Sequence, residues 1–261
     1  MSLKDEIQAY EKAEVSLDTG EIEFWDHVIF PQVIRKRQIR LILDMLESRR
    51  DLGKILDFGC GAGWLSKVLS SKGYNVTGID ASGSLITNAM KVCAKGNFIV
   101  GDCINLPLRD GAFDCIVGSA ILHHLEPYQA LTECHRVTGS NAVLLLMEPN
   151  KLNPIAALGR KLIRIQTKDE NPFFPWLLRK ALVRTGWIVC RFQYLFPYSL
   201  SLSYLFRSLG LGNSQAWSKI CPPIEVSERI LEKVPYLNRL CYEIYVVAKK
   251  GDRVGSRQVK I

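Results

Sequence analysis

Residues 55–66, Ile-Leu-Asp-Phe-Gly-Cys-Gly-Ala-Gly-Trp-Leu-Ser, constrain the fold of this chain more than any other stretch. A short apolar strand leads into Asp57, three glycines follow at alternate positions, and an apolar helix then begins. Glycine adopts backbone angles that a side chain forbids, and it lets a ligand approach the main chain closely. The stretch therefore predicts a strand, a tight turn and a helix start that together bind a nucleotide-like ligand.

The spacing of the glycines argues against a dinucleotide site. A dinucleotide fingerprint, Gly-x-Gly-x-x-Gly, has its third glycine five residues after the first. Counting from Gly59, that position is Trp64, and the other glycines stand instead at Gly61 and Gly63. The loop carries no Walker lysine either. The glycine spacing therefore makes a nicotinamide-dependent dehydrogenase a much weaker interpretation than the two functions given at the end of this section.

Strand-like and helix-like segments alternate along the chain, which predicts a doubly wound, Rossmann-like α/β fold with a mostly parallel seven-stranded sheet. The predicted strands are 54–58, 75–79, 98–100, 113–118, 142–147, 187–194 and 242–248. The predicted helices lie within 1–50 and at 63–71, 83–94 and 128–137, followed by two basic amphipathic helices within 151–186.

Two acids follow the predicted second and third strands. Asp80 lies 21 residues after Gly59, where a carboxylate accepts hydrogen bonds from both hydroxyls of a ribose. Asp102 follows the next strand, and its carboxylate suits the exocyclic amine of adenine. Doubly wound folds bind ligands at the carboxyl ends of their strands, so both acids are expected at the ligand edge.

In combination, these motifs resemble the class I S-adenosylmethionine-dependent methyltransferases, in their type 11 or UbiE-like branch. The resemblance covers about residues 50–150, with a weaker match in 242–248. The motifs that carry it are Leu56-Asp57-Phe58-Gly59-Cys60-Gly61-Ala62-Gly63, Gly78-Ile79-Asp80, Gly101-Asp102-Cys103, Asn105-Leu106-Pro107, Phe113-Asp114 and Leu122-His123-His124-Leu125. The turn at 136–141 departs from the family, because it keeps a glycine but lacks the usual proline.

The resemblance implies S-adenosylmethionine as the cofactor and no metal. It implies that Asp57 orients the glycine loop and helps to hold the methionine amino group, that Asp80 binds the ribose, and that Asp102 faces the adenine amine. Ser119 and Ala120 are expected near the methionine end. The implied cofactor-binding positions are Asp57, Gly59, Cys60, Gly61, Gly63, Asp80, Ala81, Asp102, Cys103, Ser119 and Ala120.

Two histidines, His123 and His124, follow the predicted fourth strand, close to the expected methyl end of the cofactor. Methyl transfer needs a base only when the acceptor loses a proton by the transition state. Histidine titrates near neutrality, so both residues are candidate catalytic bases. The alternative interpretation is that they pack, or cap the helix that begins around Pro127.

The segment 150–241 is expected to determine the acceptor. Between Lys151 and Arg191 there are nine basic residues and two acidic ones, and 195–241 is rich in aromatic residues and leucine. Helical insertions with apolar walls and a basic face suit a hydrophobic or lipid-like acceptor and peripheral contact with a membrane surface. A cap that packs its own core and a solvated basic surface are the alternatives.

Other substrate classes lack their signatures. The residues after the fourth predicted strand, 119–122, are Ser-Ala-Ile-Leu, whereas enzymes that methylate amino groups of DNA or glutamine usually carry Asp/Asn-Pro-Pro-Tyr/Phe there. The dipeptide Cys221-Pro222 reverses the Pro-Cys order of cytosine C5 enzymes. The net charge of +8 is concentrated in amphipathic helices without an RNA-binding motif, so no nucleic acid partner is expected.

We expect one methyltransferase domain over residues 1–261. Its parts are an N-terminal helical segment (1–50), a cofactor-binding core (51–149), the last strands with helical insertions that form a substrate cap (150–241), and a final strand and tail (242–261). Eight scattered cysteines without a Cys-x-x-Cys pair predict reduced thiols. Residues 1–20 are polar, and no apolar run reaches membrane-spanning length. Together with the reduced thiols, these features predict a cytoplasmic protein.

Two functions remain open at this point. The leading one is a methyltransferase that acts on a small-molecule, hydrophobic or lipid-like acceptor. The alternative is an accessory protein that binds S-adenosylmethionine without transferring its methyl group. The glycine loop does not distinguish them, because both would keep the cofactor.

Overall fold

The computed structural model describes residues 29–49, 51–157, 171–197 and 226–251. The helices described over their full extent are α1 (Ile29–Glu47), α2 (Trp64–Ser71), α3 (Gly83–Val92), α4 (Pro127–Val137) and α5 (Pro175–Arg184), and residues 154–157 and 226–231 are also helical. The strands are β1 (Lys54–Phe58), β2 (Asn75–Asp80), β3 (Asn97–Val100), β4 (Phe113–Ser119), β5 (Thr138–Pro149), β6 (Trp187–Leu195) and β7 (Glu243–Lys250). Short 3₁₀ turns occur at Leu122–His124 and Leu237–Leu240.

Seven strands of these ranges form one sheet in the order β3-β2-β1-β4-β5-β7-β6. The pairs among β1 to β5 are parallel, whereas β7 is antiparallel to both β5 and β6. This confirms the predicted doubly wound, mostly parallel seven-stranded sheet. Because β7 runs in the opposite direction, its first residue, Glu243, lies beside the carboxyl ends of its neighbours, opposite Pro149 and Leu195.

The two faces of the sheet carry separate hydrophobic cores. Successive strand residues alternate between them, so that Ile55 packs on one face and Leu56 on the other. Helices α1 and α2 cover the first face with Ile42, Leu46, Leu65 and Leu69. Helices α4 and α5 cover the second with Ala130, Leu131, Leu178 and Leu182. Both cores position the strand ends at which the polar groups lie.

Strand β5 is longer than the sequence predicted. The expected strand began at Ala142 after a turn, but the observed one begins at Thr138, which pairs with Phe113 of β4. The hydroxyl of Thr138 donates to the carbonyl groups of Cys134 and His135, so α4 passes directly into the strand. The register of the β4–β5 pair shifts before Cys115, which accommodates the added residues.

Several predicted elements fall partly outside the described residues. The helical prediction for 1–50 is confirmed in α1, and its first 28 residues lie outside. Of the two basic helices expected within 151–186, α5 confirms the second, whereas most of the first falls in 158–170, outside the described ranges. The aromatic segment 198–225 lies outside them as well. None of the helices in the described ranges combines the length and apolar character needed to cross a membrane.

Candidate active site

The glycine loop connects β1 to α2 at the carboxyl edge of the sheet, and its three glycines have φ values of 70°, 51° and 82°. A Cβ atom added to Gly59 would lie 2.3 Å from Cγ1 of Ile121. One added to Gly63 would lie 2.8 Å from Cβ of Ala89. One added to Gly61 would meet nothing within 4 Å. Packing therefore requires the outer two glycines, and the middle one leaves open space for a ligand.

Asp80, at the end of β2, is hydrogen-bonded to this loop. Its Oδ2 accepts the N–H of Gly61 at 2.9 Å, and its Oδ1 accepts the N–H of Ser82 at 3.0 Å. Burial raises the pKa of this carboxyl group. Each carboxylate oxygen accepts up to two hydrogen bonds, so each retains capacity for one more donor. The two oxygens are thus suited to two neighbouring hydroxyl groups, as a ribose presents.

Asp57 holds the start of α2 against the end of β1. Its side chain is buried, and its Oδ2 accepts a hydrogen bond of 2.6 Å from the hydroxyl of Ser66. Burial raises the pKa of this carboxyl group to about 7. The contact supports the predicted role of orienting the loop, whereas contact with a methionine amino group remains a prediction.

The cysteines beside the loop are buried. The N–H groups of Gly59 and Cys60 both donate to the carbonyl of Ile79, at 2.9 and 3.0 Å, which holds the loop against β2. Burial raises the pKa of the Cys60 thiol and raises that of Cys103 to about 12. Both thiols are therefore protonated at neutral pH and pack as small apolar groups.

Beyond β3, Asp102 is exposed at the same edge. Its Oδ1 accepts the N–H of Ile104 at 2.9 Å, which leaves its second oxygen open to solvent or a ligand. Ala81, directly after β2, is half-buried. The structure thus brings Gly61, Asp80 and Asp102 to the ends of neighbouring strands, as the sequence predicted.

The chain turns sharply after β4. Ser119 ends that strand opposite Met147, and the next residue, Ala120, has a positive φ of 54°. The N–H of Ala120 donates to the carbonyl of Met147 at 2.8 Å, which holds the turn in place. A non-glycine residue in this conformation is strained, and such strain is concentrated at functional sites.

Glu148, near the end of β5, accepts hydrogen bonds from the turn that follows Ala120. It is fully buried, and its carboxylate accepts the backbone N–H groups of Ile121, Leu122 and His123 at 3.2, 2.8 and 3.2 Å. The Nδ1 atom of His123 lies 2.9 Å from Oε2 of the same carboxylate. Sequence reasoning missed this residue, although it is an acid at the end of a buried apolar strand, as Asp57 and Asp80 are.

The two histidines differ in their surroundings. Their ring centroids are 4.0 Å apart. Burial and the neighbouring His123 lower the pKa of His124 to about 3, so its ring is neutral and a weak base at physiological pH. His123 is paired with Glu148 and is therefore the better candidate for accepting a proton.

A second buried acid, Glu243, lies at the same edge on β7. Both of its carboxyl oxygens lie within hydrogen-bonding distance of Nε2 of Gln38 in α1, at 2.8 and 2.9 Å. Burial raises the pKa of Glu243 to about 8. Arg37 pairs with Glu232, whose carboxylate also accepts the N–H of Phe196 at 2.9 Å. These contacts join α1 to the carboxyl-terminal strands around the candidate acceptor side.

Aromatic and basic groups lie close along the chain to a residue that contacts the His123 turn. The N–H of Asn171 donates to the carbonyl of His123 at 3.3 Å. A few residues on, the ring of Phe174 stacks on that of Trp176 with centroids 4.7 Å apart, and Lys151 Nζ lies 5.1 Å from the Phe174 ring. This group, Lys151, Phe174 and Trp176, is called the aromatic rim below.

A cavity of about 350 Å³ lies at the opposite edge of the sheet. The strand starts Lys54, Asn75, Asn97 and Phe113 line it, together with Arg109 and neighbouring residues. Ligands of doubly wound folds bind at the carboxyl ends of the strands, so this cavity is separate from the candidate site.

Comparison with known proteins identifies the domain. A family model described as a methyltransferase domain, type 11, matches residues 56–146. Demethylmenaquinone methyltransferase of Thermotoga maritima is 35% identical over 122 residues, which cover 44% of this chain and 51% of that protein. Residues 56–146 belong to the class I S-adenosylmethionine-dependent methyltransferases of type 11.

The type 11 domain has further relatives. Malonyl-[acyl-carrier protein] O-methyltransferase of Erwinia billingiae is 32% identical over 113 residues, which cover 42% of this chain and 45% of that protein. The matches to these first relatives thus span about half of their length, 51% and 45%.

Solved structures share the fold of the type 11 domain at low sequence identity. Geranyl diphosphate C-methyltransferase of Streptomyces coelicolor, in complex with Mg²⁺, geranyl diphosphate and S-adenosyl-L-homocysteine, has a TM-score of 0.60 and 14% identity over 89% of this chain and 87% of that one. The [4+2]-cyclase SpnF has a TM-score of 0.58 and 18% identity over 82% and 81%. At these identities the likeness shows the fold alone.

Proposed function

We propose that this chain transfers a methyl group from S-adenosylmethionine to a small, hydrophobic or lipid-like acceptor. The observation that carries the proposal is the placement of two sets of polar groups at one edge of the sheet. One is the glycine loop with Asp80, and the other is the buried pair of His123 and Glu148. The first suits a nucleoside, and the second offers a base beside it.

The residues present fit the methyl donor. Asp80 retains acceptor capacity on both oxygens for the ribose hydroxyls, and Gly61 leaves space for close approach. Asp102 has a carboxylate oxygen available for the adenine amine. Ser119 and Ala120 adjoin the proposed methionine end. When bound, S-adenosylmethionine supplies a methyl group that the positive charge on sulfur already activates, so the protein has mainly to align the acceptor.

His123 is the proposed general base. It would accept the proton that an acceptor hydroxyl, amine or activated carbon loses as its bond to the methyl group forms. His124 is neutral and weakly basic because of its low pKa, so we assign it to packing against its neighbour. General base catalysis of this kind contributes roughly 10²–10⁴-fold to a rate.

Two features support a hydrophobic or lipid-like acceptor. The aromatic rim follows Asn171, whose N–H donates to the carbonyl of His123, and an apolar acceptor would enter along it. One relative is named as a demethylmenaquinone methyltransferase, and another as a malonyl-[acyl-carrier protein] O-methyltransferase. These names make both compounds test substrates for this chain.

Peripheral contact with an anionic membrane is part of the proposal. The outward face of α5 carries the exposed side chains of Trp176, Leu177 and Val183 beside Lys180 and Arg184. Residues 171–197 contain four basic residues and no acidic one. Exposed apolar and aromatic side chains among basic ones are typical of surfaces that lie in the headgroup region of anionic bilayers. Because α5 begins at the aromatic rim, this contact would bring a lipid-like acceptor to the site.

The function is tested by binding and transfer together. Calorimetry with S-adenosylhomocysteine and with NAD tests the donor site, and binding of NAD alone would contradict it. Transfer of label from methyl-labelled S-adenosylmethionine is then measured with demethylmenaquinone, malonyl-[acyl-carrier protein] and geranyl diphosphate. We expect one of these acceptors to be labelled. Tight binding of the homocysteine product without transfer to any acceptor class favours the accessory-protein alternative.

The membrane contact is tested by co-sedimentation with vesicles. We expect the protein to bind vesicles of phosphatidylglycerol and phosphatidylcholine at low salt, and binding to fall at least tenfold in the variant Lys180→Glu/Arg184→Glu. We also expect Trp176→Ser to weaken vesicle binding. Met90→Ser, the matched control, should bind as the wild type does, because Met90 is 59% exposed but lies on α3, whereas Trp176 is 56% exposed on α5. Absence of binding to anionic vesicles at low salt would contradict this part of the proposal.

A further inference from the structure

The carboxylate of Glu148 contacts both the backbone and a side chain of the turn that follows β4. It is fully buried and lies near the carboxyl end of β5, 25 residues along the chain from His123. Four nitrogen atoms surround it, those of three backbone N–H groups and one of the His123 ring, all between 2.8 and 3.2 Å away. The same side chain thus holds both the backbone of the 3₁₀ turn and the imidazole ring that the turn carries.

The three backbone contacts fix the role of each oxygen. A backbone N–H group donates only, so the three backbone contacts occupy acceptor positions of the carboxyl group, which we take in its ionised form. Oε1 accepts the N–H groups of Ile121 and Leu122, and Oε2 accepts that of His123. An ionised carboxylate has no proton to donate. The contact of 2.9 Å to Nδ1 of the ring therefore requires a proton on that nitrogen.

We infer that Glu148 is a positioning residue for His123, which it holds in the Nδ1–H form so that Nε2 is the ring atom that accepts the proton of the acceptor. This inference rests on the proposed function for its catalytic meaning. In a neutral imidazole only one nitrogen carries hydrogen, so protonation of Nδ1 leaves a lone pair on Nε2.

The same arrangement accounts for the charge that proton transfer creates. The proton that leaves the acceptor moves to Nε2, and the ring becomes an imidazolium with hydrogen on both nitrogens. Its positive charge then faces the carboxylate of Glu148, which was negative before the step and remains so. The carboxylate oxygen that lies 2.9 Å from Nδ1 thus places an opposite charge beside the imidazolium.

The inference is tested by long-range ¹H–¹⁵N NMR of the histidine side chains in the free, full-length protein at slightly alkaline pH. The chain has four histidines, and the signals lost in His123→Asn assign the ring of interest. We expect a neutral His123 with hydrogen on Nδ1 in the wild type. In Glu148→Gln, an amide N–H₂ group can face Nδ1 as a donor, so we expect a shift of the population towards the Nε2–H form.

Glu243→Gln is the matched control. It also removes a buried carboxyl group at this edge of the sheet, but that carboxyl group contacts Gln38. We expect the tautomer of His123 in this variant to be that of the wild type. An Nε2–H ring in the wild type overturns the inference even if Glu148→Gln fails to fold, and so does an unchanged tautomer in a folded Glu148→Gln.

Activity separates this inference from the proposed function. With whichever acceptor is labelled, we expect Glu148→Gln to lower kcat about 10²-fold while the affinity for S-adenosylhomocysteine stays within twofold of the wild type. Glu148→Asp, which keeps a carboxylate, should recover part of kcat. An unchanged kcat in Glu148→Gln overturns the positioning role. If no acceptor is labelled but the tautomers behave as expected, the proposed function fails while the positioning of the ring stands.

Discussion

The two halves of the ligand edge are built in different ways. On the side of β1, β2 and β3, the functional groups are short acids and glycine backbone at the strand ends, and the bond from Gly61 to Asp80 joins residues 19 apart. On the side of β4, β5 and β7 the groups are buried glutamates, and one of them, Glu243, meets a partner that lies much farther along the chain. Glu243 meets Gln38 at a separation of 205 residues.

This difference parallels the two tasks that we propose for the edge, binding the methyl donor and handling the acceptor. A compact motif can bind the methyl donor, because its adenosine presents the same groups in every reaction. The acceptor side needs buried charges whose protonation is set by tertiary packing, and these can change without altering the glycine loop. The identity of the methyl donor can therefore be predicted from a short sequence motif, whereas the identity of the acceptor depends on the assembled fold.

Gly59→Ala should have the largest effect, because it links the two halves. The substitution puts a side chain into the left-handed region and drives its Cβ into Ile121, at the start of the His123 turn. We expect a loss of about 4 kcal/mol in the free energy of unfolding, measured with urea. Gly61→Ala, which meets no neighbouring atom, should lose about 1 kcal/mol yet bind S-adenosylhomocysteine more weakly. Equal losses in stability would contradict the division of roles among the glycines.

Glu243→Gln tests the buried charge of the acceptor side. The pKa of this carboxyl group is raised from 4.5 to about 8 in the fold, so folding favours its protonated form. Its stabilising contribution is complete below about pH 4.5 and is lost as the pH rises through 8.

Because glutamine resembles the protonated acid, the variant should lack this part of the pH dependence. We expect the wild type to lose about 3 kcal/mol relative to the variant between pH 5 and 8. Urea unfolding at several pH values measures it, and parallel curves for the two proteins would exclude a raised pKa for Glu243.

Asp80→Asn tests the donor side at the proposed ribose contact. Replacing the carboxylate weakens two hydrogen bonds to hydroxyl groups, so we expect a loss of about 2 kcal/mol in binding S-adenosylhomocysteine, roughly 30-fold. Asp114→Asn is a matched control, because Asp114 also accepts two backbone N–H groups, those of Gly53 and Lys54, but at the opposite edge. Calorimetry should show normal affinity in the control. Equal losses of affinity in both variants would mean that a change in the fold, and not a lost ligand contact, weakens binding.

Ser66→Ala should have the smallest effect of the four. It removes the hydroxyl that donates to Asp57, so the buried carboxyl group loses a partner, and the pKa of Asp57 should rise further above 7. We expect a loss of about 1 kcal/mol in unfolding free energy at neutral pH, with a smaller loss at pH 5, where the carboxyl group is protonated in both proteins. A loss that does not depend on pH would contradict the link between the two residues.

The donor side could be predicted from the sequence because its signals are local. The glycine loop, Asp80 and Asp102 each stand next to a recognisable strand, and parallel strands bring their carboxyl ends to one edge. The strand order and the antiparallel direction of β7 were not specified by these motifs. They depend on how the last strands pack, which the local pattern does not encode.

The acceptor side could be predicted only in part. His123 and His124 stood out as an unusual pair, but their different environments come from Glu148 and from burial, which depend on contacts across the sheet. Glu148 itself stood at the end of an apolar strand and could have been recognised by the reasoning applied to Asp80. Glu243 had no such signal, because an acid at the start of a strand is usually solvated.

The position of β7 between β5 and β6 has a consequence for the order of events during synthesis. Among the described strands, β6 pairs only with β7, which follows it in the chain. The apolar edge of β5 and the whole of β6 therefore emerge from the ribosome before the strand that joins them exists. Until β7 emerges, the nascent chain presents strand edges of the kind that aggregate, and completion of the acceptor side must wait for the last strand of the sheet.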